Sequence, residues 1–249
     1  MTAPETDPPL VEVHESADAL ATAIAGELLT RLADAQSSGH TPQIALTGGT
    51  IADAVHRELA RLSPGSEVDW GRVVLWWGDE RFVEPASDDR NERQAREALL
   101  DQVDVDPANI HPMPSTESAG SVDEGAAAYG EELRTFGAGE FDLVMLGIGP
   151  DGHIASLFPG FPQLDVHDAI AVGVTGSPKP PPERVTLTFP ALARSEEVWF
   201  VVSGDDKAEA VGRALAAHPP SVHEIPAVGV HGQVETIWFL DRASASQVP

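Results

Sequence analysis

The sequence predicts an α/β fold built on a mostly parallel sheet, and three observations lead there. Short, continuously apolar runs alternate with amphipathic helical stretches, the pattern of strands covered by helices on both faces. The unusual glycine-bearing and charged segments each follow one of those runs, and open α/β sheets hold their ligands beyond the carboxyl ends of strands. With 249 residues, 42% of them hydrophobic and 22% charged, the chain can bury a sizeable core without staples.

The elements follow in order. Residues 1–10 are polar and proline-rich and are expected to form a loose tail, as are residues 243–249. Residues 16–36 set Leu20, Ile24, Leu28 and Leu32 at i, i+4 spacing, an amphipathic helix. "QIALTG" (43–48) is a short apolar run ending in glycine, a strand, and 51–62 returns to helical spacing. "RVVLWWG" (72–78) reads as a buried strand, followed by helices over 91–103 and 122–136. "FDLVMLG" (141–147), "RVTLTF" (184–189), "EVWFVVSG" (197–204) and "TIWFLD" (236–241) are further strands. A helix over 205–217 starts beside Asp205 and Asp206, as helix N-termini favour. No repeat or linker divides the chain, so one domain over 1–249 is expected.

Composition narrows the chemistry. There are no cysteines, which excludes disulfides, thiolate catalysis and cysteine-ligated metals. The net charge of −25 repels nucleic acid and anionic lipid, so neither is an expected partner. "MTAPETDPPLVEVHES" carries no basic or apolar leader region, and no run approaches the roughly 20 apolar residues of a membrane span; a cytoplasmic protein is expected. Only Lys179 and Lys207 are lysines among 15 cations. An anionic substrate would need a local cluster of cations to overcome the global field.

Four segments carry candidate chemistry. "LTGGT" (46–50) ends a strand in a Gly48-Gly49 turn before Thr50 and a helix. Its free N–H groups suit an anion, although a tight turn with an N-cap threonine has the same letters. "WWGDERFV" (76–83) closes an apolar strand with three charges. Arg81 could grip a phosphate through its guanidinium fork, or could pair with Asp79 or Glu80. Lys179 sits between two prolines, a stiff mount for a fixed charge or an ordinary solvated lysine. Finally, Gly147 to Gly152 spells G-x-G-x-x-G, the dinucleotide fingerprint. That reading fails because Pro159, Gly160 and Pro162 stop any long helix, and because Asp151 sets a carboxylate where a pyrophosphate belongs. Asp151 can instead cap a short helix with His153 in its first turn, at the carboxyl edge of the sheet. There the histidine can act as a general base oriented by the aspartate, or can be a packed structural residue. No G-x-S-x-G elbow, H-E-x-x-H or P-loop is present, so a hydrolase here would use water directly.

Taken together, "LTGGT", "WWGDERFV" followed by Asn91, "LGIGPDGHIASLFPG", "PKPPPERVTLT" and "VVSGDDKA" resemble the glucosamine-6-phosphate isomerase/6-phosphogluconolactonase family. The resemblance implies a three-layer Rossmann-like sandwich shared with glucosamine-6-phosphate deaminase and ribose-5-phosphate isomerase. It implies hydrolysis of 6-phospho-D-glucono-1,5-lactone, a sugar-phosphate substrate, in the oxidative pentose phosphate pathway, with no metal or cofactor and no obligate protein partner. His153 would be the base that activates water and Asp151 its partner. Gly48, Gly49 and Thr50 would hold the phosphate, with Arg81, Lys179 and Arg184 as cations, and Asp79 matches a carboxylate of the deaminases. In the deaminases the D-G-H-I-A string runs into F-N-E; here it runs Ser156-Leu157-Phe158, and phenylalanine cannot move a proton. A sugar-phosphate sensor of the same fold would need the phosphate site without His153, and the acidic residues before "LTGGT" leave no room for a DNA-binding helix-turn-helix.

Overall fold

The computed structural model describes residues 8–249. Six strands form one parallel sheet in the order β1 (Leu10–His14), β9 (Glu235–Asp241), β8 (Ser195–Val202), β5 (Phe141–Leu146), β2 (Gln43–Leu46), β3 (Val74–Trp77). A second, antiparallel sheet runs β4 (Asp79–Arg81), β7 (Arg184–Leu187), β6 (Ala171–Val174). The helices are α1 (Ala17–Ser37), α2 (Thr50–Leu62), α3 (Asn91–Ala95), α4 (Val122–Phe136), α5 (Phe189–Leu192) and α6 (Ala208–Ala214). No helix among the described residues is long and apolar enough to cross a membrane.

The strands of the main sheet from β2 to β8 are buried because they carry apolar side chains on both faces; Ile44, Leu75, Trp76, Trp77, Val144 and Trp199 are almost wholly enclosed. The α1 stripe of Leu20, Ile24, Leu28 and Leu32 packs into the same core, each leucine contributing about 1.5–3 kcal/mol by leaving water. Ser16 caps α1 by accepting the N–H of Ala19 at 3.2 Å.

The long elements match expectation within a few residues, and the departures have local causes. The tail expected over 1–10 ends in a strand: Leu10 begins β1, which lies parallel to β9 with Leu10 opposite Ile237 and His14 opposite Asp241. Residues 1–7 lie outside the described residues. β1 escaped prediction because Leu10, Val11 and Val13 are exposed, so their sequence shows no buried alternation. The C-terminal stretch is not a loose tail either. Ser244 is buried, with its hydroxyl donating to Val202 O at 3.0 Å and its N–H to Asp241 Oδ1 at 2.8 Å. The helix expected over 91–103 leaves α-geometry after Ala95 through a π-helical turn, in which Asp101 N donates to Arg96 O at 3.0 Å.

The order of the strands locates the site. β2 has β3 on one side and β5 on the other, so the chain reverses direction of travel across the sheet at the β2–β5 pair. At such a switch point the loops leaving two neighbouring strands diverge and open a crevice. The two loops here are Thr47–Gly49 and Gly147–His153.

Candidate active site

The Gly147–His153 loop is a tight turn held by its own backbone. Gly149 N donates to His153 O at 2.8 Å, and Gly152 N donates to Gly149 O at 2.9 Å. The short helix expected to start at Asp151 does not form, and His153 stands on this turn instead. Gly152 adopts φ +83°, a conformation glycine reaches freely. Gly149 is glycine for a different reason: a Cβ there would lie 2.0 Å from His153 Nδ1 and 2.4 Å from Asp151 Oδ1. The letters of the dinucleotide fingerprint therefore make room for a pair of side chains rather than for a pyrophosphate.

That pair is geometrically well made. His153 Nδ1 and Asp151 Oδ1 are 2.5 Å apart. Partial burial pushes the Asp151 carboxyl up, but the hydrogen bond and charge of His153 outweigh it and bring the pKa down to about 2. An ionised Asp151 only accepts, so the proton of the bond belongs to Nδ1, and the lone pair of a neutral His153 is at Nε2. The ring is 14% exposed and packs at 4.6 Å against the ring of buried Phe158, which lies 5.9 Å below the Arg184 guanidinium.

The second feature is a set of cations. β4 and β7 pair so that Arg81 faces Arg184 and Asp79 faces Thr186. Period-two alternation puts Asp79 and Arg81 on one face of β4 and Glu80 on the other. This splits the three-charge run into two jobs. Glu80 is fully buried and accepts the N–H groups of Arg81, Asn91 and Glu92 at 2.8, 2.8 and 2.9 Å, which ties β4 to the start of α3. Burial pushes its carboxyl up, opposed by Arg90 and those donors. Arg81 forms no ion pair with Asp79 or Glu80. Arg81, Lys179 and Arg184 have no carboxylate within ion-pair distance among the described residues, whereas Lys207 pairs with Asp206 at 2.8 Å. Like charges set opposite on an antiparallel pair repel, and an anion between them removes the cost.

Arg184 also holds the proline loop. Its guanidinium donates to the carbonyls of Pro181 (3.2 Å), Lys179 (3.1 Å) and Pro180 (3.4 Å), which fixes the backbone that carries Lys179. Burial lowers the Arg184 pKa, Asp79 opposes this, and Arg81 adds to it. Desolvation likewise lowers Lys179, with Asp151 opposing and Lys207 and Arg184 reinforcing. Asp79 is pinned: Ser156 Oγ donates to its Oδ2 at 2.7 Å, and Asn91 Nδ2 donates to its Oδ1 at 3.3 Å.

These residues share one cleft of about 240 Å³ at the switch point. Gly48, Gly49, Asp79, Arg81, His153, Lys179 and Arg184, all expected from sequence, line it together. Asp151 is not part of the wall and reaches the cleft only through its hydrogen bond to His153. Gly49 caps α2 at φ +106° with no side-chain bond, so the first N–H groups of that helix have no intrahelical or side-chain partner. Thr50 is the first helical residue, not the cap, and faces an adjoining cleft with Gly49 and Arg81. Lys207 and Asn91 line the main cleft and were not among the expected site residues. Lysine rarity was the available signal for Lys207: both lysines of the chain converge here. Ala155, also in the wall, holds φ +47°, the kind of strained backbone that collects at functional sites.

Known proteins share this arrangement's frame. The chain is 41% identical to a 6-phosphogluconolactonase of Streptomyces coelicolor over 98% of this chain and 96% of that one. It is 41% identical to a 6-phosphogluconolactonase of Mycobacterium leprae over 96% and 98%. Among solved structures, the 6-phosphogluconolactonase of Thermotoga maritima superposes with a TM-score of 0.82 at 27% identity, covering 94% of this chain and 99% of that one. A monomeric glucosamine-6-phosphate deaminase shares the fold at a TM-score of 0.81 and 18% identity, covering 96% and 99%. The family model described as glucosamine-6-phosphate isomerases/6-phosphogluconolactonase matches residues 15–238, and the chain belongs to that family.

Proposed function

We infer that the protein is a lactone hydrolase that opens 6-phospho-D-glucono-1,5-lactone to 6-phospho-D-gluconate. One observation carries the reading: a histidine with its basic nitrogen fixed by an ionised aspartate stands in a cleft whose unpaired cations, Arg81 and Arg184, face each other across a strand pair. A carboxylate-oriented base beside an anion site is what hydrolysis of a phosphorylated lactone requires.

In this reading the Gly48-Gly49-Thr50 turn, Arg81 and Lys179 clamp the phosphate, with Lys207 as a further cation. Arg184 contributes charge and holds Lys179 in place. Binding energy from the phosphate positions C1 of the lactone near His153. His153 Nε2 takes a proton from water as the oxygen attacks the carbonyl, and the imidazolium then returns it to the ring oxygen as the bond breaks. The N–H groups of Gly149 and Gly152 are engaged within their own turn, so the developing oxyanion is stabilised chiefly by the positive field of the cleft. Phe158 supports this chemistry over ring-opening deamination, since it offers no acid or base where the deaminases' string carries glutamate.

We assign the reaction to the oxidative pentose phosphate pathway in the cytoplasm, and residues 1–249 to one catalytic unit, supported by a single contiguous apolar core. The test is lactone hydrolysis followed by acid release against the uncatalysed blank, with glucosamine 6-phosphate assayed for ammonia in parallel. Acceleration without ammonia is expected; ammonia release would transfer the protein to the deaminases.

A further inference from the structure

Building on the phosphorylated-lactone reading above, we propose that Asn91 is a positioning residue. It sets the Gly48-Gly49 turn against the Asp79 edge of the cleft and thereby makes the enzyme select phosphorylated over unphosphorylated lactones.

The orientation of the Asn91 amide is fixed by its partners. Nδ2 donates to Asp79 O at 2.9 Å and to Asp79 Oδ1 at 3.3 Å; both partners only accept, so the nitrogen must be on that side. Oδ1 is then turned to Gly48. It is buried and has no hydrogen-bond donor, in a residue only 2% exposed. A Cβ on Gly48 would lie 1.8 Å from this oxygen, so the amide occupies the volume that any side chain at position 48 would need. The backbone N–H of Asn91 is anchored in turn on Glu80 Oε1 at 2.8 Å. One side chain thus touches the turn after β2 and the start of β4, the two walls between which the phosphate has to fit. A buried acceptor without a donor is uncommon and calls for an explanation. Here the amide keeps the turn at a fixed distance from Asp79 and Arg81, and Gly48 is glycine so that it can approach.

Asn91 touches the phosphate-binding wall and shares no hydrogen bond with His153, so its loss should act on binding. The experiment measures kcat and KM for 6-phosphogluconolactone and for unphosphorylated glucono-1,5-lactone in wild type, Asn91→Ala, Gly48→Ala and the double variant. Asn91→Ala should raise KM for the phosphorylated lactone about tenfold with kcat within about threefold, and leave kcat/KM for gluconolactone within about twofold. Gly48→Ala should show the same selective loss because its Cβ displaces the amide, and the double variant should be no worse than the poorer single one. Wild-type KM and selectivity in Asn91→Ala would overturn the proposal, as would additive losses. So would a fall in kcat at unchanged KM, the mark of a smaller folded fraction. If Asn91→Ala does not fold, Asn91→Ser carries the same test. Calorimetric titration with inorganic phosphate separates the two claims. A wild type that hydrolyses neither lactone overturns the functional reading, and equal phosphate affinity in wild type and variant overturns the role of Asn91.

Discussion

Arg31 and Arg81 are both arginines on a strongly acidic protein, and their surroundings are opposites. Arg31, a partly exposed residue of α1 beside the sheet, donates to Glu27 at 2.8 Å, Glu197 at 2.6 Å and Glu235 at 3.1 Å, and these carboxylates raise its pKa. Arg81 has another arginine opposite it and no carboxylate partner among the described residues. A chain with 40 acidic residues could easily have supplied one. In the proposed function the unpaired cation receives an external anion, whereas the Arg31 cluster fastens a helix to two strands. Charge alone does not separate the two; the partner does.

Substitutions can break or sharpen that contrast. The largest effect should come from the group that the pocket cations serve. His153→Ala should lower kcat by about 10²–10⁴-fold, with an unchanged melting curve; full activity in a folded variant would remove His153 from the mechanism. Arg81→Ala should raise KM for the phosphorylated lactone by about 10–100-fold, the worth of a charge-assisted hydrogen bond, and unphosphorylated lactone should not notice. An unchanged KM would mean that Arg81 is as structural as Arg31.

Acid should act through the helix behind the pocket. Burial lowers His56 on α2 to about 4, with Asp53 opposing, and its Nε2 has no partner. The folded pKa lies below the unfolded value, so the unfolded chain binds the extra proton between about pH 6.5 and pH 4, and stability falls as pH drops through that window. Urea midpoints should fall across it by an amount corresponding to as much as about 3 kcal/mol, and His56→Gln should flatten the dependence. Arg31→Ala should be the mildest change. It should cost about 1 kcal/mol or less for each exposed pair lost and leave both kinetic constants alone. A raised KM in Arg31→Ala would erase the contrast.

Much of the site was legible in the sequence because its parts are local. The Asp151–His153 pair spans two residues, and the glycine turn and both lysines can be read as letters. The opposition of Arg81 and Arg184 could not be read, since it depends on the register of β4, a three-residue strand made entirely of charged side chains with no apolar pattern. The job of Gly149 was equally hidden. Its neighbours in space are side chains two and four positions on, and only the fold of the turn brings them onto its Cα. β1 and β6 were missed for a related reason: the outer strand is exposed, and "AVGV" is four residues with a glycine.

The pairing of β1 with β9 bears on how the molecule is made. Leu10 meets Ile237, so β1 finds its neighbour 227 positions further along the chain. Contacts so distant along the chain are slow to close, because loop entropy is lost before they form. The β2, β3, β5 and β8 pairings close shorter stretches of chain, whereas β1, with its exposed Leu10, Val11 and Val13, has only the distant β9 to pair with. Completing the sheet therefore depends on the pairing with the greatest separation along the chain. Truncation before Glu235 would remove β9 and also set β1 adrift, so that losing one strand unfastens another more than two hundred residues away.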